Sequence, residues 1–197
     1  MVEFSERINH ALRIAARAHE GQYRKGSDTP YVAHPVAVAL ISQRYYSDEE
    51  VFIAALLHDV LEDVPKWNYS ESDMRRDFGD AVTEIVKDVS EPRITAPMLT
   101  AWLHRKSSYV EHIAATDNPK SLVVSASDKI HNMAEILREY HEKGEGVWRN
   151  FHVDKGHEIW FFDEVFQALR QKTQLDRRAI ADYENLLSQL KELDANS

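Results

Sequence analysis

The stretch AALLHDVLEDVP at 54–65 sets a polar dipeptide, His58-Asp59, into an apolar run. A fold that buries this segment must also give the imidazole and the carboxylate partners. A polar group taken out of water without a hydrogen bond costs about 1–3 kcal/mol, and an unpaired charge costs far more. Glu62 and Asp63 stand one turn further on, so a histidine and three acids fall within six residues. That density on a core-like stretch asks for a cation, whose remaining ligands must come from elsewhere in the chain.

The surrounding pattern predicts an all-α chain. Leu12, Ala15, Ala16 and His19 follow the spacing of a core-facing helical stripe. GQYRKGSDTPY, with its glycines and proline, predicts a loop. His34-Pro35 opens a second helix, with Pro35 suited to the first helical position and an end near Tyr45. SDEE at 47–50 has the form of a capping box from Ser47 to Glu50, and starts a third helix that ends near Asp63, before Pro65. A short amphipathic helix from Ser70 to Phe78 and another over DAVTEIVKDVS follow, then a break bracketed by Pro92 and Pro97. MLTAWLHRKSSYVEHIAA is helical again. Asn118 and Pro119 read as cap and first-turn proline of a helix over KSLVVSASDKIHNMAEILREYHE. After a turn at Gly144 and Gly146, two long helices are expected at about 147–172 and 176–193. The last carries Ile180, Tyr183, Leu186, Leu187 and Leu190 on one stripe, which should pack on its own domain. Residues 1–197 are expected to form a single helical bundle of roughly eight to ten helices.

Composition narrows the chemistry. The formal charge is −9, which argues against nucleic-acid or membrane surfaces, since both attract basic proteins. It leaves an anionic substrate open, because a bound divalent metal reverses the local field. There is no cysteine, so a metal site here has to use His, Asp or Glu. No apolar run reaches the ~18 residues of a membrane span and no signal-peptide core is present, so a cytoplasmic protein is expected.

Taken singly, the candidate residues are weak. His34, after the loop, reads alone as a capping or surface histidine. His58 and Asp59 on a helix point about 100° apart and share one ion only if it lies against the helix flank. Glu62 is four residues from His58 and three from Asp59, hence on one face. Carboxylates there can orient a water and accept its proton, and acids at a helix C-terminus oppose its dipole. Asp128 lies in the apolar LVVSASDKIHNM, where it must be paired, capped or metal-bound; a salt bridge with Lys129 or Arg105 would equally account for it. Asn132 is four residues beyond it and His131 three. Arg24 and Lys25, adjacent cations in the loop, suit a phosphate-bearing substrate, although surface charge is the commoner reason for such a pair.

Together the motifs GQYRKGSDTPYVAHP, ALLHDVLED, FGDAVTEIVKDVS and ASDKIHNM, in this order, resemble the HD-superfamily hydrolase domain of the Rel/Spo alarmone enzymes, and especially the stand-alone small alarmone hydrolases of the metazoan SpoT-homologue type. The resemblance covers roughly residues 5–165. It implies an HD-type helical bundle that binds a divalent metal, usually Mn²⁺, through His34, His58, Asp59 and Asp128. It implies that Glu62 and Asp63 activate a water, that Arg24 and Lys25 lie near the substrate, and that Asn132 lies close to its ribose or phosphate end. The implied reaction removes pyrophosphate from the 3′ position of guanosine tetra- and pentaphosphate, (p)ppGpp, giving GDP or GTP. The partner is then a small nucleotide rather than a nucleic acid or a membrane. The chain departs from the family at Ala134 and Glu135, where an Arg-Thr or Arg-Asp pair often follows HNM. This keeps two alternatives in view: a broader HD nucleotide phosphohydrolase acting on, for example, NADPH, and a non-catalytic nucleotide sensor. Since the sequence stops at 197, no synthetase or regulatory domain is expected.

Overall fold

Ser5 opens the first helix, α1 (Glu6–Ala18), by accepting a hydrogen bond from the Ile8 amide, which satisfies one of the N–H groups a helix start leaves unpaired. The computed structural model describes residues 2–65, 68–92 and 98–195. Its remaining α-helices are α2 (Ala33–Ser42), α3 (Glu49–Leu57), α4 (Val60–Asp63), α5 (Glu71–Val89), α6 (Met98–Ala115), α7 (Pro119–Lys143), α8 (Lys155–Arg170) and α9 (Arg177–Ala195), with a 3-10 helix over Gly144–Asn150. Among the described residues there is no strand, only an isolated bridge between Tyr23 and Pro30 that closes the loop before α2. The expected all-α architecture is therefore present. No described helix is long and apolar enough to cross a membrane.

Several boundaries differ from the sequence reading, each for a local reason. The buried face of α1 is Ile8, Ala11 and Ala15, with His19 just beyond, whereas Leu12 is 38% exposed and Ala16 is exposed; the stripe lies rotated by about one residue. α2 begins two residues before Pro35, whose missing N–H still falls in the first turn, where no intrahelical acceptor exists, and it stops at Ser42 instead of Tyr45. Asp48, not Ser47, caps α3: its backbone is extended and its carboxylate accepts from the Val51 amide. Ser70 makes the reciprocal capping box with Asp73, and the two helices expected over 70–90 are both found within α5, divided at the non-helical Gly79, whose φ of 85° suits glycine. The helix expected from 147 begins at 155. The chain runs through the 3-10 helix, and Asp154 then caps α8 on the His157 amide. Pro97, one end of the expected break, lies outside the described residues.

The core centres on α3 and α7. Val51 and Ile53 to Leu57 are at most 1% exposed, as are Leu122, Val123, Val124 and Ala126 of α7. Each such Val, Leu or Ile contributes about 1.5–3 kcal/mol through removal from water. α3 packs on α1, α2, α5 and α7, while α7 also meets α2 and α9. α9 buries Ala179, Tyr183, Leu187 and Leu190, and the Tyr183 hydroxyl donates to the Phe162 carbonyl of α8 at 2.9 Å. Ile180 and Leu186 are partly buried against the same core, so the C-terminal stripe packs within the chain.

Candidate metal centre

The helix expected to run unbroken to Asp63 is interrupted where its polar dipeptide stands. α3 ends at Leu57 and α4 starts at Val60, leaving His58 and Asp59 in the junction. Both residues keep right-handed helical backbone there, with φ −60°, ψ −34° at His58 and φ −89°, ψ −10° at Asp59, and their side chains meet at the flank of the turn. His58 Nε2 lies 3.2 Å from Asp59 Oδ1. His34, in the first turn of α2, brings its Nε2 to 3.5 Å from Asp59 Oδ2 and 3.1 Å from Asp128 Oδ1. Asp128, from the middle of α7, reaches His58 Nε2 at 3.7 Å with the same oxygen. Donor atoms of His34, His58 and Asp59 fall within 4.8 Å of one another, and Asp128 touches both imidazoles. Four residues from three separate parts of the chain thus converge.

Each has a second partner that fixes its orientation. His58 Nδ1–H donates to the Ala55 carbonyl at 2.8 Å, so Nε2 is the ring atom that faces the carboxylates. That Nε2 is buried and makes no hydrogen bond, an arrangement that suits a nitrogen prepared to ligate. His34 Nδ1 meets His131 Nδ1 at 2.9 Å. Burial and the neighbouring His34 push His131 down to about 4. A neutral His131 can accept from His34 Nδ1–H and leave the His34 Nε2 lone pair facing inward. The Tyr31 hydroxyl donates to Asp59 Oδ2 at 2.6 Å. Asp128 accepts from Asn132 Nδ2 at 2.7 Å and pairs with Lys129. Lys129 is buried, its ammonium 4.4 Å from the centre of the Tyr109 ring. Burial opposes both charges of the Asp128–Lys129 pair. Their mutual attraction, with the imidazoles, outweighs it, holding Asp128 well below and Lys129 well above their usual ranges. The salt bridge that sequence alone left open for Asp128 is therefore made with Lys129, beside the imidazoles; Arg105 pairs with Glu91 instead, at 3.5 Å.

Two nitrogens and two carboxylates, with no thiolate, form a donor set that suits a divalent first-row ion. Burial and the Asp59 and Glu91 charges push Glu62 up to about 8. Asp63, whose side chain meets solvent, is pushed up to about 6 by partial desolvation and Asp59. Both face a cleft of about 640 Å³ that runs from Asp59 and Asp128 past Arg24, Lys25 and Lys106. Arg24 donates to Asn132 Oδ1 at 2.8 Å, so Arg24, Asn132 and Asp128 form one chain of hydrogen bonds that ties the loop to α7. Lys25 lies 5.3 Å from the centre of the Phe151 ring, and burial pushes it below its usual value. The loop can approach the 3-10 helix this closely because residue 26 is glycine. Its φ is +70°, and a Cβ there would lie 1.9 Å from the Asn150 side chain. Glu135 also lines the cleft, paired with Arg138 at 3.0 Å.

Eight of the nine residues singled out from the sequence for metal, water and substrate line this cleft, and the ninth, His58, is buried beside Asp59. Sequence reasoning gave no role to Tyr31 or His131, which hold the convergent side chains, nor to Glu91 and Lys106 in the cleft wall; Lys129 entered it only as a salt-bridge partner for Asp128. His131 carries a signal in its spacing, three residues from Asp128 on one helix face. Tyr31 and Glu91 act across the fold, and spacing does not reveal them.

Residues 11–152 match the family model described as the HD domain. The chain is 38% identical over 128 residues to a guanosine-3′,5′-bis(diphosphate) 3′-pyrophosphohydrolase of Haemophilus influenzae, covering 62% of this chain and 18% of that one. It is 35% identical over 136 residues to the bifunctional (p)ppGpp synthase/hydrolase SpoT of Escherichia coli, covering 66% and 18%. A GTP pyrophosphokinase of Streptomyces coelicolor is 36% identical over 138 residues, covering 70% and 16%. The chain thus spans less than a fifth of the length of these curated relatives. Among solved structures, a metazoan ortholog of SpoT that hydrolyses ppGpp superposes with a TM-score of 0.76 at 23% identity, covering 96% of this chain and 98% of that one. A protein of Listeria monocytogenes superposes with a TM-score of 0.68 at 24% identity, covering 83% and 99%. Both likenesses concern the fold.

Proposed function

Given that this chain belongs to the HD domain family, we propose that it is a metal-dependent hydrolase that removes pyrophosphate from the 3′ position of guanosine 3′,5′-bis(diphosphate), with residues 1–197 working as one domain. The convergence of His34, His58, Asp59 and Asp128 on one point beneath a cleft whose walls carry Arg24, Lys25, Arg105 and Lys106 among its acids carries the reading. Relatives named for this reaction support it. His34 and His58 would hold the ion through Nε2, and Asp59 and Asp128 through carboxylate oxygens; manganese is the ion proposed. When bound, a divalent ion supplies positive charge that lowers the pKa of a water and offsets charge on the reacting phosphate.

The residues of the chain do the rest. Glu62 and Asp63 take the proton of the attacking water. The water oxygen bonds to the phosphorus nearest the ribose, the bond from that phosphorus to the 3′-oxygen breaks, and the 3′-oxygen leaves with a proton. Arg24 and Lys25 offset the pyrophosphate charge, and Asn132, held between Arg24 and Asp128, orients the sugar end. The test is a substrate panel with Mn²⁺ that includes ppGpp, GTP and NADPH. Pyrophosphate and GDP from ppGpp, at a rate well above that of the other substrates, is the expected result. Turnover of NADPH without turnover of ppGpp would replace the substrate, and tight binding with no turnover would make the domain a sensor.

A further inference from the structure

One cleft residue faces both the cations and the proposed water-activating acid. Glu91 follows the end of α5. Its carboxylate pairs with Lys106 at 2.5 Å and lies 3.5 Å from Arg105 Nε, with 14% of the side chain exposed. Its main-chain N–H donates to Glu62 Oε1. Lys106 is seated on the Phe161 ring at 4.2 Å, so its position in the wall is fixed by more than its charge partner. We propose that Glu91 is an affinity-setting residue: its carboxylate occupies Lys106 and Arg105 in competition with a phosphate group of the substrate, while its peptide N–H anchors Glu62.

The chemistry favours exchange. A terminal phosphate carries about −1.5 to −2 charge and three acceptor oxygens, against one charge and two oxygens on a carboxylate. It is therefore the stronger partner for two adjacent cations. The two halves of Glu91 are separable. Pro92 follows it, and a residue before proline is confined to extended backbone. The carboxylate can leave Lys106 by side-chain rotation while the N–H stays on Glu62. Charge repulsion between Glu91 and an arriving anion then lowers affinity until the exchange is made, and the anchor of the acid is kept throughout.

This rests on the reading of the cleft as a site for phosphate groups, and the experiment separates the two. Binding of inorganic pyrophosphate to the Mn²⁺-loaded protein is measured by calorimetry, apart from any turnover. Glu91→Gln keeps the N–H and the size of the side chain and removes the charge, so pyrophosphate binds about fivefold tighter, the scale of one partly exposed charge pair. KM for ppGpp falls with it. In a Lys106→Met, Arg105→Met background the same substitution loses most of that effect. Glu91→Ala repeats the test with a different side chain. Unchanged or weaker pyrophosphate binding in both Glu91 variants overturns the proposal even where ppGpp is hydrolysed. Tighter binding in a protein that leaves ppGpp intact upholds it and overturns the substrate.

Discussion

His131→Phe tests how the site is oriented. Phenylalanine keeps a ring beside His34, 4.9 Å away between centroids, but removes the acceptor for His34 Nδ1–H. In the parent the acceptor holds the proton on Nδ1, and Nε2 presents a lone pair 3.1 Å from Asp128 Oδ1. In the variant the proton moves to Nε2, which then donates to Asp128 and occupies the position an ion would take. The metal-free fold loses little, under about 1 kcal/mol, because His34 exchanges one hydrogen bond for another. Metal binding must now displace that proton and leave Nδ1 without its partner. Loss of such an outer partner weakens affinity about 10- to 100-fold, or roughly 1.4–2.8 kcal/mol. Calorimetric titration with Mn²⁺, alongside urea unfolding in EDTA, reads the two quantities separately. Metal affinity within twofold of the parent, or a stability loss as large as the affinity loss, would refute the reasoning.

Three further outcomes follow from the same geometry. In metal-free protein, thermal stability is expected to fall between pH 6.5 and 9. Glu62, raised to about 8 from 4.5, stays protonated in the folded chain when the unfolded chain has ionised, so its penalty grows up to pH 8. For His58, burial favours the neutral form but the Asp59 and Asp128 charges outweigh it and raise it to about 9, so its contribution is full below 6.5 and lost through 9. Mn²⁺ favours the deprotonated forms of both, and melting curves with and without it should diverge as pH rises; a parallel pair of curves would count against the site. Lys129→Met leaves Asp128 buried with His58 as its counter-charge, and urea unfolding in EDTA should show a loss of about 3 kcal/mol, with part of it recovered by Mn²⁺. Gly26→Ala puts a Cβ on a positive-φ residue against Asn150, which should lower stability by about 1–2 kcal/mol and raise KM through the displaced Arg24 and Lys25. A variant with parental KM would separate that loop from substrate.

The residues that proved legible in the sequence are those whose chemistry conflicts with their surroundings. His58, Asp59 and Asp128 stand in apolar runs, and the structure gives each a buried partner. His34 gained weight only in company with them. The break between α3 and α4 was not legible, because no glycine or proline stands between 54 and 61 and the apolar residues on both sides of His58-Asp59 let periodicity extend the helix. The cap at Asp48 was misplaced by one residue since Ser47 and Asp48 are both good caps, and the extended backbone at Asp48 decides between them. The stretch over 147–154 read as part of the following helix because it carries apolar residues, Val147 and Trp148, which are buried in a 3-10 segment instead. Tyr31, His131 and Glu91 act on residues 28 to 97 positions away, and local pattern holds no trace of such pairings.

Manganese content and pyrophosphate release, measured on one sample, test the central claim most directly. Stepwise loading of EDTA-stripped protein with Mn²⁺ should give one ion per chain, with release of pyrophosphate from ppGpp rising in proportion to occupancy. Asp128→Ala should lose both together. Undiminished release by stripped Asp128→Ala protein in EDTA would contradict the account.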